Sequence, residues 1–265
     1  MATQNTRKFA VITGASSGIG YELARECIEH GFDVLICAED AAGLQSAART
    51  LGATDGVNVQ TVQADLATRD GVEKLFAAIS RPVDALLLNA GVGVGGAFTN
   101  TDLEAELRMI ALNCNHTVHL AKLVVPQMVS RGSGRILITG SQVSVSPNPY
   151  QAVYGATKAF VMSFGEALRY ELKDTGVTVT VLQPGATETH FFERAHLMDT
   201  KVGQAKKDDP ALVAKQGFEA MMDGKDSVAG GSFKTRMQTL MNEILPETTK
   251  AAMAGEQTKP GSAKH

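Results

Sequence analysis

Tyr154 and Lys158 stand four residues apart in the run Tyr154-Gly155-Ala156-Thr157-Lys158. If the run is helical, phenol and ammonium share one face, with Cβ atoms about 5–6 Å apart. A unit positive charge about 4 Å from a phenol, at surface-like screening, favours the phenolate by roughly 4 kcal/mol, or about three pKa units. Such a shift brings a tyrosine from about 10 towards neutrality, where it exchanges protons with an alcohol. The pair alone is weak evidence, because the spacing is frequent by chance and lysines often lie along aromatic rings.

A second stretch with chemistry in it is Thr13-Gly14-Ala15-Ser16-Ser17-Gly18-Ile19-Gly20. It follows an apolar run ending at Thr13 and precedes a helix-compatible stretch, Tyr21 to Glu29. Strand, glycine turn and helix in that order are what a dinucleotide site requires. Gly14 permits the tight turn, Gly18 lets backbone approach a pyrophosphate, and Gly20 lets the helix pack near the strand. The helix N-terminus then turns free N–H groups and a positive dipole end towards the phosphates. Many turns are rich in glycine. The place of this one, at the first strand of an α/β pattern, favours the dinucleotide role.

The spacing is Gly-x-x-x-Gly-x-Gly, and it resembles the cofactor turn of the short-chain dehydrogenase/reductase family, in its shorter single-domain branch. The resemblance runs from about Lys8 to Thr189, some two-thirds of the chain. Asp65-Leu66 ends a third strand, where the family's acid touches adenine. Asn89-Ala90-Gly91 ends a fourth, where the family's Asn-Ala-Gly supports the strand and lines the adenosine and ribose. Pro184-Gly185-Ala186-Thr187-Glu188-Thr189 follows a sixth strand and is similar to the family's Pro-Gly loop. That likeness implies that Pro184, Gly185, Thr187 and Thr189 contact the nicotinamide, and that Ser16, Ser17 and Ile19 join the three glycines around the cofactor. A fifth strand ends at Gly140-Ser141, with Ser141 thirteen residues before Tyr154, as in the family's Ser…Tyr-x-x-x-Lys arrangement.

The resemblance assigns Tyr154 as general acid/base. It implies that Lys158 lowers the Tyr154 pKa and binds the nicotinamide ribose, and that Ser141 hydrogen-bonds the substrate oxygen. Asn113, in Leu112-Asn113-Cys114-Asn115, matches the asparagine that holds a proton-relaying water, with Asn115 as its rival. The activity implied is hydride transfer between NAD(P) and an alcohol/ketone pair. Two other readings remain: a non-catalytic dinucleotide sensor, against which all four catalytic positions are filled, and an epimerase or dehydratase using the same Tyr/Lys pair. The latter's relatives usually carry a larger substrate region and different glycine spacing.

The second strand ends Cys37-Ala38-Glu39-Asp40. A carboxylate there accepts hydrogen bonds from ribose hydroxyls and repels a 2′-phosphate, by roughly 1–3 kcal/mol at about 5 Å. No Arg or Lys stands in this stretch, and Ser17 occupies a position where NADP-dependent relatives often carry a base. Both absences favour NAD over NADP. The family pattern is departed from here: Ala38 stands where NAD-dependent relatives place their acid, and Glu39 where NADP-dependent ones often place Arg.

These residues need strands and helices to hold them. Short apolar runs at Phe9–Thr13, Val34–Ala38, Asn58–Ala64, Ala85–Asn89, Arg135–Gly140 and Val177–Gln183 alternate with helical patterns. The alternation predicts an α/β fold, a single-domain Rossmann-type doubly wound parallel sheet with helices on both faces, over residues 1–247. Leu103 to Met128 is predicted to form one long helix, bent before Pro126. Residues 186–210 read as a substrate loop or an ordinary surface loop. Phe233, Met237, Leu240, Met241, Ile244 and Leu245 form a stripe at helical spacing, predicting a helix over 232–245. Val228-Ala229-Gly230-Gly231 stands in place of the Thr-Gly-Gln…Gly-Gly strand segment of many family members. Residues 248–265, rich in small and polar types, are predicted to be a flexible tail.

Gly91 to Gly96, Val143 to Val153 and Phe191-Phe192 line the pocket by family analogy, which predicts a largely apolar, medium-sized substrate. Glu188, His190 and Arg194 are candidate polar contacts. A net charge of −3 with a pI near 6.1 gives no reason to expect nucleic acid. No run suits a membrane span. Three scattered cysteines, Cys27, Cys37 and Cys114, lack metal-ligand spacing and fit a reducing, cytoplasmic setting. A homodimer or homotetramer is expected, with a dimer through the long helix and the Tyr154 helix.

Overall fold

The computed structural model describes residues 7–54, 56–242 and 246–264. Seven strands form one parallel sheet: β1 (Lys8–Thr13), β2 (Phe32–Ala38), β3 (Val59–Gln63), β4 (Ala85–Leu88), β5 (Gly134–Thr139), β6 (Val177–Pro184) and β7 (Ser227–Gly230). Their order is β3-β2-β1-β4-β5-β6-β7. The chain works outward from β1 to β3, then reverses and builds from β4 to β7. The reversal leaves a crevice at the carboxyl ends of β1 and β4, where such sheets bind ligands.

Parallel strands covered on both sides read as continuous apolar runs, and successive side chains go to opposite faces. Phe9, Val11, Leu86, Leu88, Ile136 and Ile138 enter one core with α3 (Arg69–Ala77), α5 (His116–Arg131) and α6 (Ala152–Leu172). Ala10, Ile12, Ala85, Leu87 and Leu137 enter the other with α1 (Gly18–Glu29), α2 (Ala41–Leu51) and α9 (Pro210–Met222). The predicted doubly wound sheet is therefore the observed one.

The predicted long helix begins as α4 (Leu103–Ile110), opens into a π-turn over Ala111–Asn115, and continues as α5 through Pro126 to Arg131. Its irregularity lies at Asn113 rather than before Pro126. The expected loop at 186–210 contains two single turns, α7 (Phe191–Arg194) and α8 (Lys201–Gln204), around a small core of Phe192, Ala195 and Leu197. Its base is closed by a bridge between Thr187 and Asp208.

Two elements depart from expectation. The segment read as lacking a strand forms β7, which pairs with β6 in the register Leu182↔Val228 and Gln183↔Ala229. The tail expected to be flexible is helical as α11 (Glu247–Thr258), which follows α10 (Phe233–Asn242). Small residues hid its docking, since Ala252 and Ala254 favour helix without marking a face. Lys250 and Thr258 are nevertheless buried, donating to the Val145 and Pro149 carbonyls. Of the predicted apolar stripe, Phe233 and Met237 are exposed. Ile244, Leu245 and the side chains of Leu240 and Met241 lie outside the described residues.

Candidate active site

Ser141 directly follows Gly140 at the end of β5 and caps a short 3₁₀ turn, Gln142–Val145. Its hydroxyl accepts from Val143 N–H, and its own N–H donates to Ser144 Oγ at 3.1 Å. This reciprocal box fixes the serine where the next helix, α6, brings Tyr154 to meet it. The Tyr154 hydroxyl lies near enough to the Ser141 side chain for that side chain to favour its ionisation. Phe191, from the loop after β6, packs on the other side, with ring centroids 5.2 Å apart.

Lys158 lies one turn along α6, its Nζ 5.8 Å from the Tyr154 ring centroid. That ammonium donates to the Thr139 carbonyl at 2.9 Å. Tyr154 and Lys158 retain only 8% and 6% of their accessible surface. Burial dominates both ionisations. It pushes the Tyr154 phenol up to about 12, partly opposed by the neighbouring Ser141 side chain, and pushes Lys158 down to about 8. The expected acidification of Tyr154 by Lys158 is thus not seen in the free protein. The lysine donates to a carbonyl of β5, and burial is the leading cause of the raised phenol pKa.

Asn113 is a clamp. Its Nδ2 donates to the Val92 carbonyl and to Thr157 Oγ1, both at 3.0 Å, while its Oδ1 accepts from Val92 N–H at 3.0 Å. Asn113 sits in the middle of the π-turn and is buried there. Gly91 lies between Asn113 and Lys158: a Cβ there would stand 3.1 Å from Asn113 Oδ1 and 3.4 Å from Lys158 Nζ. Thr157, which the sequence did not single out, joins the clamp to α6 and donates to the Tyr154 carbonyl. Asn115 lies apart, beside a shallow cleft with His116 and His119.

The glycine turn has the predicted conformation. Gly14 and Gly18 have φ of 69° and 58°, in the left-handed region. A Cβ on Gly20 would collide with the Gly14 carbonyl oxygen, so helix and strand meet there. Ser17 stands at the N-cap of α1 without a side-chain cap bond, leaving first-turn N–H groups for a ligand. Ile19 packs against the core under the turn. Asn89 holds β1 to β5: its Nδ2 donates to the Thr13 carbonyl at 3.1 Å, and its Oδ1 accepts from Thr139 Oγ1 at 3.1 Å. Ala90 N–H donates to Thr13 Oγ1.

The loop after β6 closes over this turn. Gly185 N–H bonds the Gly230 carbonyl, Thr187 Oγ1 bonds the Gly185 carbonyl, and Thr189 Oγ1 accepts from Phe191 N–H. A Cβ on Gly18 would lie 2.8 Å from Thr189 Cγ2, so the Pro184–Thr189 stretch and the glycine turn are brought together. Phe191 faces Tyr154, whereas Phe192 turns into the loop's own core. His190 and Arg194 line a cleft of about 410 Å³ with Ser16, Ser17 and Asp40, on the glycine-turn side rather than beside Tyr154.

At the ends of β2 and β3 the structure adds a residue that the local sequence did not offer. Arg108, from α4, bonds Asp65 through two nitrogens at 2.8 and 3.0 Å and Glu39 through one at 2.9 Å. The guanidinium holds the Asp65 carboxyl below its ordinary value. Asp40 caps α2, accepting from the N–H groups of Ala42 and Gly43. The absence of a base near Glu39, true of the local sequence, fails in three dimensions. Leu66 is buried in the core beside Asp65. Among the described residues no group of three or more His, Cys, Asp or Glu is arranged to hold a metal ion, and no helix is long and apolar enough to cross a membrane.

The residues present fit a dinucleotide: a cradle without Cβ atoms at Gly14 and Gly18, an uncapped helix start, and polar groups gathered at the carboxyl ends of the strands. Residues 8–199 match the family model described as short chain dehydrogenase. Dehydrogenase/reductase SDR family member 7B of Rattus norvegicus is 29% identical over 269 residues, covering 96% of this chain and 83% of that protein. A short-chain dehydrogenase from Sphingobium yanoikuyae, solved in complex with NADPH, has a TM-score of 0.79 at 29% identity, covering 90% of this chain and 96% of the other. The L-sorbose reductase of Gluconobacter frateurii, complexed with NADPH and L-sorbose, has a TM-score of 0.73 at 27% identity, covering 88% and 99%. Motifs, sheet order and relatives agree: the chain belongs to the short-chain dehydrogenase/reductase family and is an NAD(P)-dependent oxidoreductase.

Proposed function

We propose that this protein interconverts an alcohol and a ketone on an apolar to medium-sized substrate, with Tyr154 as general acid/base. The observation that carries the reading is the clustering of buried Tyr154 and Lys158 on one face of α6 with Ser141 at the carboxyl end of β5. When bound, the nicotinamide supplies or accepts the hydride. Ser141 holds the substrate oxygen within reach of the phenol. Tyr154, protonated in the free site at neutral pH, donates its proton to that oxygen, which suits carbonyl reduction. Lys158 binds the nicotinamide ribose, and its charge favours the phenolate once the proton has left. Asn113 keeps the Gly91–Val92 backbone and α6 in register. Phe191 supplies apolar wall and excludes water.

Pyrophosphate binding falls to Gly14, Ser16, Ser17, Gly18, Ile19 and Gly20. Adenosine contacts fall to Glu39, Asp65, Leu66 and Asn89–Gly91, and nicotinamide contacts to Pro184, Gly185, Thr187 and Thr189. The carboxylates of Glu39 and Asp40 support NAD over NADP. Exposed Leu103, Leu107 and Ile110 on α4, with Phe160 on α6, support a homodimer through these helices. The buried free thiols of Cys27, Cys37 and Cys114 accord with a reducing, cytoplasmic setting.

The test is a panel of alcohols and ketones followed at 340 nm with each nicotinamide. Tyr154→Phe is expected to lower turnover of any active substrate by about 10²–10⁴-fold, with cofactor binding retained. A Tyr154→Phe protein as active as the wild type overturns the assignment.

A further inference from the structure

The carboxyl ends of β2 and β3, beside the glycine turn, form the adenosine half of the crevice. An acid there pairs with a ribose 2′-hydroxyl, and an arginine accommodates a 2′-phosphate. Here both are present and bonded to each other. Glu39 follows the last residue of β2, and Arg108 reaches it from α4, a helix 69 residues away in sequence.

The guanidinium's two attachments are unequal. Its two bonds to Asp65 form a fork-to-fork pair that fixes the position of the head group. Its bond to Glu39 uses a single nitrogen, and the Glu39 side chain is 67% exposed. An exposed ion pair of that kind is weak and screened by salt. A phosphate is a better acceptor for a guanidinium than one oxygen of a solvated carboxylate. Asp40 is not free to compete for Arg108, because its carboxylate is engaged with the first N–H groups of α2.

We infer that Arg108 is a specificity-determining residue that exchanges its Glu39 contact for the 2′-phosphate of NADP(H), while its pairing with Asp65 holds it in place. The strand-end acids give the preference for NAD, and Arg108 keeps NADP(H) within reach. The site thereby accepts both cofactors. The inference rests on the dinucleotide site proposed above.

Isothermal titration with NADH, NADPH, 5′-AMP and adenosine 2′,5′-bisphosphate reads this without turnover. Arg108→Ala is expected to weaken NADPH and the bisphosphate by about tenfold or more, and NADH and 5′-AMP by about threefold or less. Arg108→Lys, which keeps the charge but not the fork, is expected to lose less NADPH affinity than the alanine variant, and so guards against misfolding of that variant. Glu39→Gln, at an exposed position, is expected to tighten NADPH several-fold by freeing the guanidinium. Equal losses for both cofactors in Arg108→Ala, or NADPH binding unchanged in it, overturn the role of Arg108. A wild-type protein that binds neither cofactor overturns the dinucleotide site itself.

Discussion

Lys158 carries its ammonium into a nearly closed site, with one carbonyl as its hydrogen-bond acceptor among the described residues. Burial lowers its pKa from 10.5 to about 8. Below pH 8 the group is charged in both the folded and unfolded chains, and the fold bears the full desolvation penalty. Between about 8 and 10.5 the unfolded chain binds the extra proton, so stability rises with pH through that window. Lys158→Met is therefore expected to be more stable than the wild type at pH 7, by roughly 2–3 kcal/mol. The gap should close by about pH 10, read from urea unfolding at pH 7, 8.5 and 10. A variant less stable than the wild type at pH 7 contradicts this. The pattern is that of a buried charge kept at a cost in stability. Tyr154 adds the opposite slope: its raised pKa favours the fold below about pH 10 and ceases to do so as pH approaches 12.

At the scale of elements, the π-turn links the site to pH in the other direction. The turn ends one residue before His116, whose Nδ1–H donates to the Leu112 carbonyl at 2.9 Å. Its Nε2 is buried without a hydrogen-bond partner among the described residues. Burial lowers its pKa to about 4, with the Lys158 charge a smaller contribution in the same direction. An unfolded chain takes up this proton near pH 6.5 and the folded chain does not until about 4, so stability falls as pH drops through that interval. His116→Leu is expected to lose much of this acid sensitivity, with its thermal midpoint falling less than the wild type's between pH 6.5 and 4.5.

Sequence reading reached the elements unevenly, for physical reasons. Strands β1, β2, β4 and β5 are apolar on both faces, and β6 alternates Val with Thr before Leu182, so all five could be read directly. Ser227–Gly230 is four residues with no large side chain, and only its pairing with β6 makes it a strand. The cluster of Ser141, Tyr154 and Lys158 was legible because Tyr154 and Lys158 share one helix and Ser141 follows the end of a strand. Arg108 was not, because its partners lie 43 and 69 positions away and ordinary charges on a helix signal nothing. Nor did the spacing disclose which way the Lys158 head would point, so desolvation was left out of the Tyr154 pKa.

Across the whole molecule, the strand reversal gathers the functional loops at one edge, and the C-terminal segment joins two of them. Thr258 donates to the Pro149 carbonyl, near the start of the Tyr154 helix. Ser262 accepts from Lys201 N–H at the start of α8, and the Asp199 carboxylate accepts from Gly261 N–H. Truncation after Pro246 is expected to leave NAD(P) binding unchanged while raising the KM of an active ketone several-fold. Titration of the cofactor beside steady-state kinetics measures both, and parallel losses in the two would refute a role limited to the substrate side.

That joining also orders events during synthesis. Residues 8–184 contain six of the seven strands, so most of the sheet is synthesised before residues 247–264. The rim near Tyr154 waits for more: Pro149 on one side and Asp199–Lys201 on the other are fastened by residues 258–262, made long afterwards. A nascent chain thus holds the glycine turn and the Tyr154 helix well before it holds the segment that ties the two sides of that rim together.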